Sequence, residues 1–171
     1  GATADSAIGN ERLLMPQILN GLKKNEFIFL LQPQYELNTR KIIGAEALVR
    51  WNHPALGEIS PAVFIPVLEN NGYITKLDQK IWEDVCAMIR RWIDEGIKPL
   101  AISINVTKTD LLAMDVVEIF DELLKKYRIP PKYLNIDIAE NAYKEVYGIV
   151  SEVEKSLQQK GFRIALDGFD G

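Results

Sequence analysis

The sequence predicts an α/β fold in which helices cover a mostly parallel sheet. Strand-like apolar segments alternate with helix-like ones, and the last three strand-like segments recur about 30 residues apart, the length of one strand–helix–strand unit. The chain has 171 residues, of which 47% are hydrophobic. No Pro- or Gly-rich linker divides it, so one hydrophobic core is expected.

The N-terminal part is predicted to form a helix followed by a hairpin. Apolar residues at helical spacing predict a helix over residues 10–24, and residues 27–32 and 42–51 have the composition of strands. Asn38-Thr39 between these strands suits a turn, so we expect them to pair. Residues 1–10 are small and polar, and we interpret them as a linker or the remnant of an expression tag.

The rest of the chain is predicted to alternate helix and strand. Thr75-x-x-Asp78 and Thr107-x-x-Asp110 resemble capping boxes and mark the starts of two long helices. Gly96 is expected to end the first of them. The remaining predicted boundaries are the Pro-Pro at 130–131 that ends the second helix, a helix over 144–160, and strands over 100–106, 133–138 and 162–167.

Composition excludes several classes of function. With 20 basic and 24 acidic residues, the chain has a formal charge of −4, which does not support a protein that coats DNA or RNA through excess positive charge. No apolar run reaches the roughly 20 residues of a membrane-spanning helix. Cys86 is the only cysteine and is predicted to lie in the core, so a reducing, cytoplasmic location is expected. His53, the only histidine, is predicted to have a turn or packing role.

The strand count leaves the closure of the sheet open. Five predicted strands are too few for a closed eight-stranded barrel of about 250 residues. An open sheet would be self-sufficient, whereas part of a barrel would have an unpaired edge after the last strand.

Oxygen-bearing side chains are predicted to gather at one end of the sheet. Asn105, Asp137 and Asp167 lie near the carboxyl ends of three strands, on the face opposite the branched apolar residues. Ligands bind at that end of parallel sheets. Glu46 extends the series, and such a group of carboxylates and an amide favours Mg²⁺, Mn²⁺ or Ca²⁺.

A purely structural interpretation has to be weighed against a cation site for these residues. An Asp after a strand is often the N-cap of the next helix, which is an alternative for Asp167, and Asn105 alone can be a turn residue. Glu46 is harder to explain in this way, because burying an unpaired carboxylate in an apolar stretch is costly. The four residues together favour a cation site.

A longer motif surrounds Glu46. Residues 46–54, EALVRWNHP, resemble the signature of the EAL domain, the family of cyclic-di-GMP phosphodiesterases. Further segments follow in the family's order: FLLQP at 29–33, ISP at 59–61, FIP at 64–66 and SINVT at 103–107. The resemblance covers about residues 11–171 and implies a TIM-type (β/α) barrel with an irregular antiparallel first strand. The chain is thus expected to be the N-terminal two thirds of an EAL domain, an incomplete (β/α)8 barrel.

The resemblance also implies roles for individual residues. The implied metal ligands are Glu46, Asn105, Asp137 and Asp167. The implied contacts to the dinucleotide are Gln32, Leu48 and Arg50. Glu140 resembles the residue that steadies a neighbouring loop. The implied chemistry is hydrolysis of one phosphodiester of cyclic-di-GMP, giving linear pGpG, assisted by two Mg²⁺ or Mn²⁺ ions that activate a water.

The sequence departs from the family pattern at three positions. The family usually has Glu where this chain has Asp137 and Thr where it has Ala139. Its Asp-Asp-Phe-Gly motif is altered because Gly168 replaces the second Asp, a ligand of the second metal, so occupation of that second site is doubtful. The family's catalytic Lys and later Glu would lie beyond Gly171, so no catalytic residue is assigned. We therefore expect this chain not to hydrolyse cyclic-di-GMP at a useful rate.

Other functions remain open at this point. A degenerate EAL domain would bind cyclic-di-GMP as a receptor without cleaving it, or would act only as a protein-interaction module. An upstream GGDEF or sensor domain is a further expectation for this family, and the parent protein would then be compatible with a membrane tether. An exposed sheet edge would also be compatible with a homodimer.

Overall fold

The computed structural model describes residues 11–165, and these contain seven α-helices, one 3-10 turn and six strands. The helices are α1 Glu11–Lys23, α2 Pro61–Asn70, α3 Ile74–Asp94, α4 Lys108–Ala113, α5 Val116–Tyr127, α6 Glu140–Glu145 and α7 Tyr147–Gln159. The strands are β1 Phe27–Tyr35, β2 Ile42–His53, β3 Gly57–Ile59, β4 Ala101–Val106, β5 Leu134–Ile138 and β6 Arg163–Ala165, with the 3-10 turn at Pro131–Tyr133.

The six strands form one sheet in the order β1-β2-β4-β5-β6, with β3 paired to β2. β1 and β2 are antiparallel, with Phe27 opposite Trp51, whereas β2–β4, β4–β5 and β5–β6 are parallel. The α/β class with an antiparallel first strand is therefore confirmed. β3 was not predicted, because three residues are too few to show strand alternation.

The core lies between the sheet and its helices. Alternate residues of β4 and β5 are buried as predicted: Ile102, Ile104, Val106, Leu134, Ile136 and Ile138. At the open end of the β1–β2 hairpin, Phe27 stacks on Trp51 with ring centroids 5.0 Å apart. Phe64 of α2 packs edge-on against both rings. The other face of the sheet carries the polar side chains of Glu46, Asn105 and Asp137, together with apolar residues of the hairpin such as Leu30 and Leu48.

The predicted capping box at Thr75 and Asp78 is wrong. Helix α3 begins at Ile74, and the Thr75 hydroxyl donates to the carbonyl of Gly72 at 3.1 Å. The helix starts early because the Asn71 side chain and the left-handed Gly72 (φ +81°) already form the turn that enters it. Asp78 is therefore free of a capping role and lies one turn inside the helix.

Two predicted helices are interrupted. The first breaks at Met114 because Asp115 starts a new helix by accepting from the backbone N–H of Glu118. The other is divided at Val146 into α6 and α7. By contrast, the predicted Thr107–Asp110 capping box is present in full.

Helix α2 was not predicted, although its start has a local signal. The Ser60 hydroxyl accepts from the N–H of Ala62 at 3.2 Å, and Pro61 occupies the first turn. Strand β1 also continues past its predicted end, through Pro33 to Tyr35. Proline is tolerated there because β1 lies at the edge of the described sheet.

The predictions for His53 and Cys86 are confirmed. The Nδ1 atom of His53 accepts from the N–H groups of Ala55 and Leu56, both at 3.0 Å, so Nε2 donates to the Gln17 side chain. Cys86 is fully buried, and burial raises the pKa of its thiol to about 12. Among residues 11–165, no helix is long and apolar enough to cross a membrane. The predicted linker or tag at 1–10, Asp167 and Gly168 lie outside the described residues.

Candidate functional site

Polar side chains share one face of the sheet near the carboxyl ends of its parallel strands. Glu46 of β2 pairs with Ser103 of β4, and Asn105, two residues further along, pairs with Asp137 of β5. Residues in register on parallel strands point to the same face, so Glu46, Asn105 and Asp137 lie on one side. Strand spacings of about 4.8 Å and a rise of about 3.3 Å per residue put the Cα atoms of Glu46 and Asn105 about 8 Å apart.

The hairpin adds the residues that were predicted to contact a dinucleotide. Gln32 of β1 is exposed and pairs directly with Glu46. Leu48, two residues after Glu46 in β2, pairs with Leu30 of β1. Side chains on opposite strands at these positions are neighbours. The amide of Gln32 therefore lies beside Glu46, and the apolar side chain of Leu48 is the next one on the same face of β2.

Arg50 is held in place by its surroundings. Its Nε lies 3.1 Å from Oε1 of Glu58 in β3, and its Nη1 donates to the Val49 carbonyl at 2.8 Å. A guanidinium has five N–H donors, so these two contacts leave others for an additional acceptor. The short strand β3 thus orients Arg50 at the end of the face that carries Glu46.

Glu140 lies at the start of α6 and is exposed. Its Oε1 is 3.2 Å from the Lys144 ammonium. A second ion pair, Lys108 with Glu145 at 3.0 Å, joins the helices that follow β4 and β5. Glu140 is therefore at the rim of the polar face, next to the strand that carries Asp137.

The donor atoms on this face suit a hard divalent cation. Two carboxylates and an amide are oxygen ligands of the type that Mg²⁺ and Mn²⁺ prefer. In β5, two residues before Asp137, the buried Oδ1 of Asn135 has no hydrogen-bond partner within residues 14–165. No cluster of three or more His, Cys, Asp or Glu side chains suited to a metal occurs in that part of the chain. The predicted third carboxylate, Asp167, lies outside it.

The loop after β4 is fixed from the helical side. The β2–β4 pairing ends at Glu46 and Ser103, and beyond it the indole Nε1 of Trp82 donates to the carbonyl of Asn105 at 3.1 Å. Two residues later, the Thr107–Asp110 capping box closes the turn, and Asp110 is fully buried. Helix α3 and this box therefore determine where the backbone of Asn105 lies.

Sequence reasoning missed the tertiary role of Asp78. Its carboxyl hydrogen-bonds to that of Asp110, although both residues were interpreted only as helix caps. A usable signal was present, since Asp78 lies four residues after Ile74 and three before Ile81, on the apolar face of α3. A carboxyl in that position requires a buried partner.

A family model described as "EAL domain" matches residues 16–171. The chain belongs to the EAL domain family. It is 29% identical over 167 residues to the signaling protein YkoW of Bacillus subtilis, and 32% identical over 143 residues to the cyclic di-GMP phosphodiesterase PA2567 of Pseudomonas aeruginosa. These alignments cover 95% and 84% of this chain.

The fold is shared with solved EAL structures. The MucR phosphodiesterase in complex with c-di-GMP superposes with a TM-score of 0.83 and 25% identity, over 91% of this chain and 63% of that one. The chain spans 21% of the length of YkoW and 24% of PA2567. The relationship therefore concerns one part of those larger proteins and supports the TIM-barrel-like class predicted from the sequence.

Proposed function

We propose that this chain provides a cyclic-di-GMP-binding surface and a divalent-cation site of an EAL domain, and that it binds the dinucleotide without hydrolysing it at a useful rate. The observation that carries this proposal is the shared face of Gln32, Glu46, Asn105 and Asp137 at the carboxyl ends of adjoining strands. Similarity to a phosphodiesterase whose structure is solved in complex with c-di-GMP, together with membership of the EAL family, supports the choice of ligand.

Each residue has a defined task in this proposal. Glu46, Asn105 and Asp137 hold Mg²⁺ or Mn²⁺, with Asp167 as a further ligand. Gln32 donates or accepts hydrogen bonds at the base or ribose, and Leu48 packs against an apolar part of the ligand. Glu140 steadies the loop beside Asp137.

Arg50 binds a phosphate oxygen. Guanidinium–phosphate hydrogen bonds are charge-assisted and directional, so an Arg already oriented by Glu58 loses little freedom on binding. A bound divalent cation would polarise the phosphate and lower the pKa of a coordinated water. The chain's own residues position the phosphodiester against that site.

The distinction between receptor and enzyme rests on the sequence after β6. Gly168 has no oxygen side chain where the family has an Asp, and Asp137 is one methylene shorter than the usual Glu. Two-metal hydrolysis needs both ions to clamp the attacking and leaving oxygens. Loss of one ligand from the second ion therefore favours binding over cleavage.

Calorimetric titration with cyclic-di-GMP, with and without Mn²⁺, tests the proposal when combined with chromatographic analysis for pGpG. We expect saturable binding that Mn²⁺ strengthens, no pGpG, and weaker binding in Glu46→Gln and Asp137→Asn. Glu152→Gln, an exposed position on α7, is the matched control and should bind normally. Turnover that Glu46→Gln abolishes would assign an active phosphodiesterase instead. Absence of binding would leave a protein-interaction role and refute the proposal.

The same proposal has consequences for context. We place the activity in the cytoplasm, in accord with a single, buried and unpaired cysteine thiol. An upstream GGDEF or sensor domain and a homodimer stay predictions, which sequencing beyond the ends of this chain and measurement of mass in solution will test.

A further inference from the structure

Two carboxyl groups face each other beneath the candidate site. Asp78 of α3 and Asp110 of α4 hydrogen-bond through their side chains. The other oxygen of Asp110, Oδ2, accepts from the N–H of Thr107 at 2.9 Å. Oδ2 of Asp78 and Oδ1 of Asp110 are buried and have no N–H or hydroxyl donor in the described part of the chain. Ionised carboxylates only accept hydrogen bonds, so contact between these groups requires a proton on one of them.

The surroundings of the two carboxyl groups favour a protonated form of the pair. Within residues 14–165 no Lys, Arg or His forms an ion pair with either carboxyl, and the other charge acting on Asp78 is the negative Glu69 of α2. Burial, followed by the hydrogen bond to Asp110, raises the pKa of Asp78. Burial also raises the pKa of Asp110, but its hydrogen bonds with Asp78 and Thr107 oppose that rise. The N–H of Thr107 already donates to Asp110 and stabilises its ionised form, so Asp78 is the donor of the pair and Asp110 the acceptor.

The pair lies where α3 meets the loop after β4. Asp78 and Trp82 are one turn apart on α3, and Trp82 donates to the Asn105 carbonyl while Asp78 contacts Asp110. Asp78, Trp82, Asn105 and Thr107 all line one cavity of about 180 Å³. Two successive turns of α3 thus hold the two ends of the segment from Asn105 to Asp110.

We propose that Asp78 and Asp110 share one proton, and that the resulting O–H···O hydrogen bond is a positioning contact through which α3 fixes the turn that follows Asn105. The part that concerns Asn105 as a ligand rests on the proposed function, whereas the shared proton does not. Asp78 acts through Asp110 and Thr107 and is a positioning residue.

A shared proton makes folding depend on pH. The folded-state pKa of Asp78 is raised to about 10 from an ordinary value of 3.8, so folding takes up one proton between these values. The stability that this group contributes is complete below its unfolded pKa and is lost as the pH rises towards the folded one. Across pH 6 to 8, the folding equilibrium constant should fall about tenfold per pH unit because of this site.

Asp78→Asn tests the shared proton directly. The amide N–H replaces the carboxylic O–H as donor to Asp110 and does not titrate. Urea unfolding gives the folding equilibrium constant of each protein. The constant of Asp78→Asn divided by that of the wild type should rise about 100-fold from pH 6 to pH 8. Asp94→Asn, at the exposed end of the same helix, should leave the wild-type pH profile unchanged. An equal ratio at pH 6 and pH 8 would refute the shared proton.

Infrared spectroscopy provides a measurement that does not require reversible unfolding. Wild type and Asp94→Asn should both show the carbonyl band of a protonated carboxylic acid at pH 7, and Asp78→Asn should lack it. The same band in all three proteins would overturn the proposal.

Amide hydrogen exchange tests the positioning role. Asp78→Ala removes the donor and should speed exchange at the N–H groups of Thr107 and Asp110, while amides in α7 keep their wild-type rates. Asp78→Asn should restore slow exchange. Equal rates in the Ala and Asn variants would refute positioning through this hydrogen bond. Failure to bind Mn²⁺ or cyclic-di-GMP would refute the proposed function without changing these measurements.

Discussion

Replacing Trp82 by Phe tests how helix α3 supports the candidate site. Trp82 is 1% exposed, its indole donates to the Asn105 carbonyl, and its ring packs against Phe120 with centroids 4.7 Å apart. Phe keeps the six-membered ring and removes the donor. The substitution therefore separates the hydrogen bond from most of the packing.

The expected cost is the sum of two effects. Leaving a buried carbonyl without its donor costs about 1–3 kcal/mol. Loss of the five-membered ring removes buried apolar surface worth about 1 kcal/mol more, at about 0.8 kcal/mol per methylene equivalent. The free energy of unfolding should thus fall by about 2–4 kcal/mol in Trp82→Phe.

Urea unfolding followed by circular dichroism measures this loss without relying on tryptophan fluorescence. Trp92→Phe is the matched control, because Trp92 is half-buried on the same helix and its indole has no hydrogen bond among the described residues. We expect the control to cost less than about 1.5 kcal/mol. Equal losses in the two variants would refute a stabilising role for the hydrogen bond to Asn105.

Three further substitutions test contacts elsewhere in the fold. In Gly44→Ala the new Cβ would lie 2.8 Å from the Ala101 carbonyl, so the β2–β4 pairing must shift at a cost of about 1–3 kcal/mol. Gly148→Ala, where nothing lies within 4 Å, should instead stabilise α7 by about 0.5–1 kcal/mol in thermal unfolding. The hydrogen bond from Lys126 lowers the pKa of Glu83, so this pair's small contribution to stability should disappear as the pH falls through the lowered pKa. Glu83→Gln should remove that acid dependence, and an unchanged acid profile would contradict the assignment.

The strand faces were predictable because side-chain alternation is a local property. Ile102, Ile104 and Ile136 are buried as their spacing predicts, and Asn105 and Asp137 fall on the opposite face for the same reason. The relative level of Glu46 was not predictable, because register between strands depends on pairing that no local pattern encodes. The observed register places Glu46 opposite Ser103, two residues before Asn105.

The failures of prediction occurred where tertiary contacts determine the structure. Thr75 and Asp78 have the spacing of a capping box, yet the turn at Gly72 starts α3 earlier and Asp78 finds its partner in Asp110. The same spacing at Thr107 and Asp110 does form a box. The two motifs are equivalent in sequence, so only the surrounding chain distinguishes them.

In the proposed function, Glu46, Asn105 and Asp137 bind one divalent cation at the carboxyl end of the sheet. Paramagnetic broadening by Mn²⁺ in an amide NMR spectrum tests it most directly, because broadening reports distance from the ion. We expect the signals of these three residues and of Ser103 to be lost first, and Glu46→Gln to weaken the effect. Broadening centred on the exposed acidic residues of α7, with the ends of β4 and β5 unaffected, would contradict it.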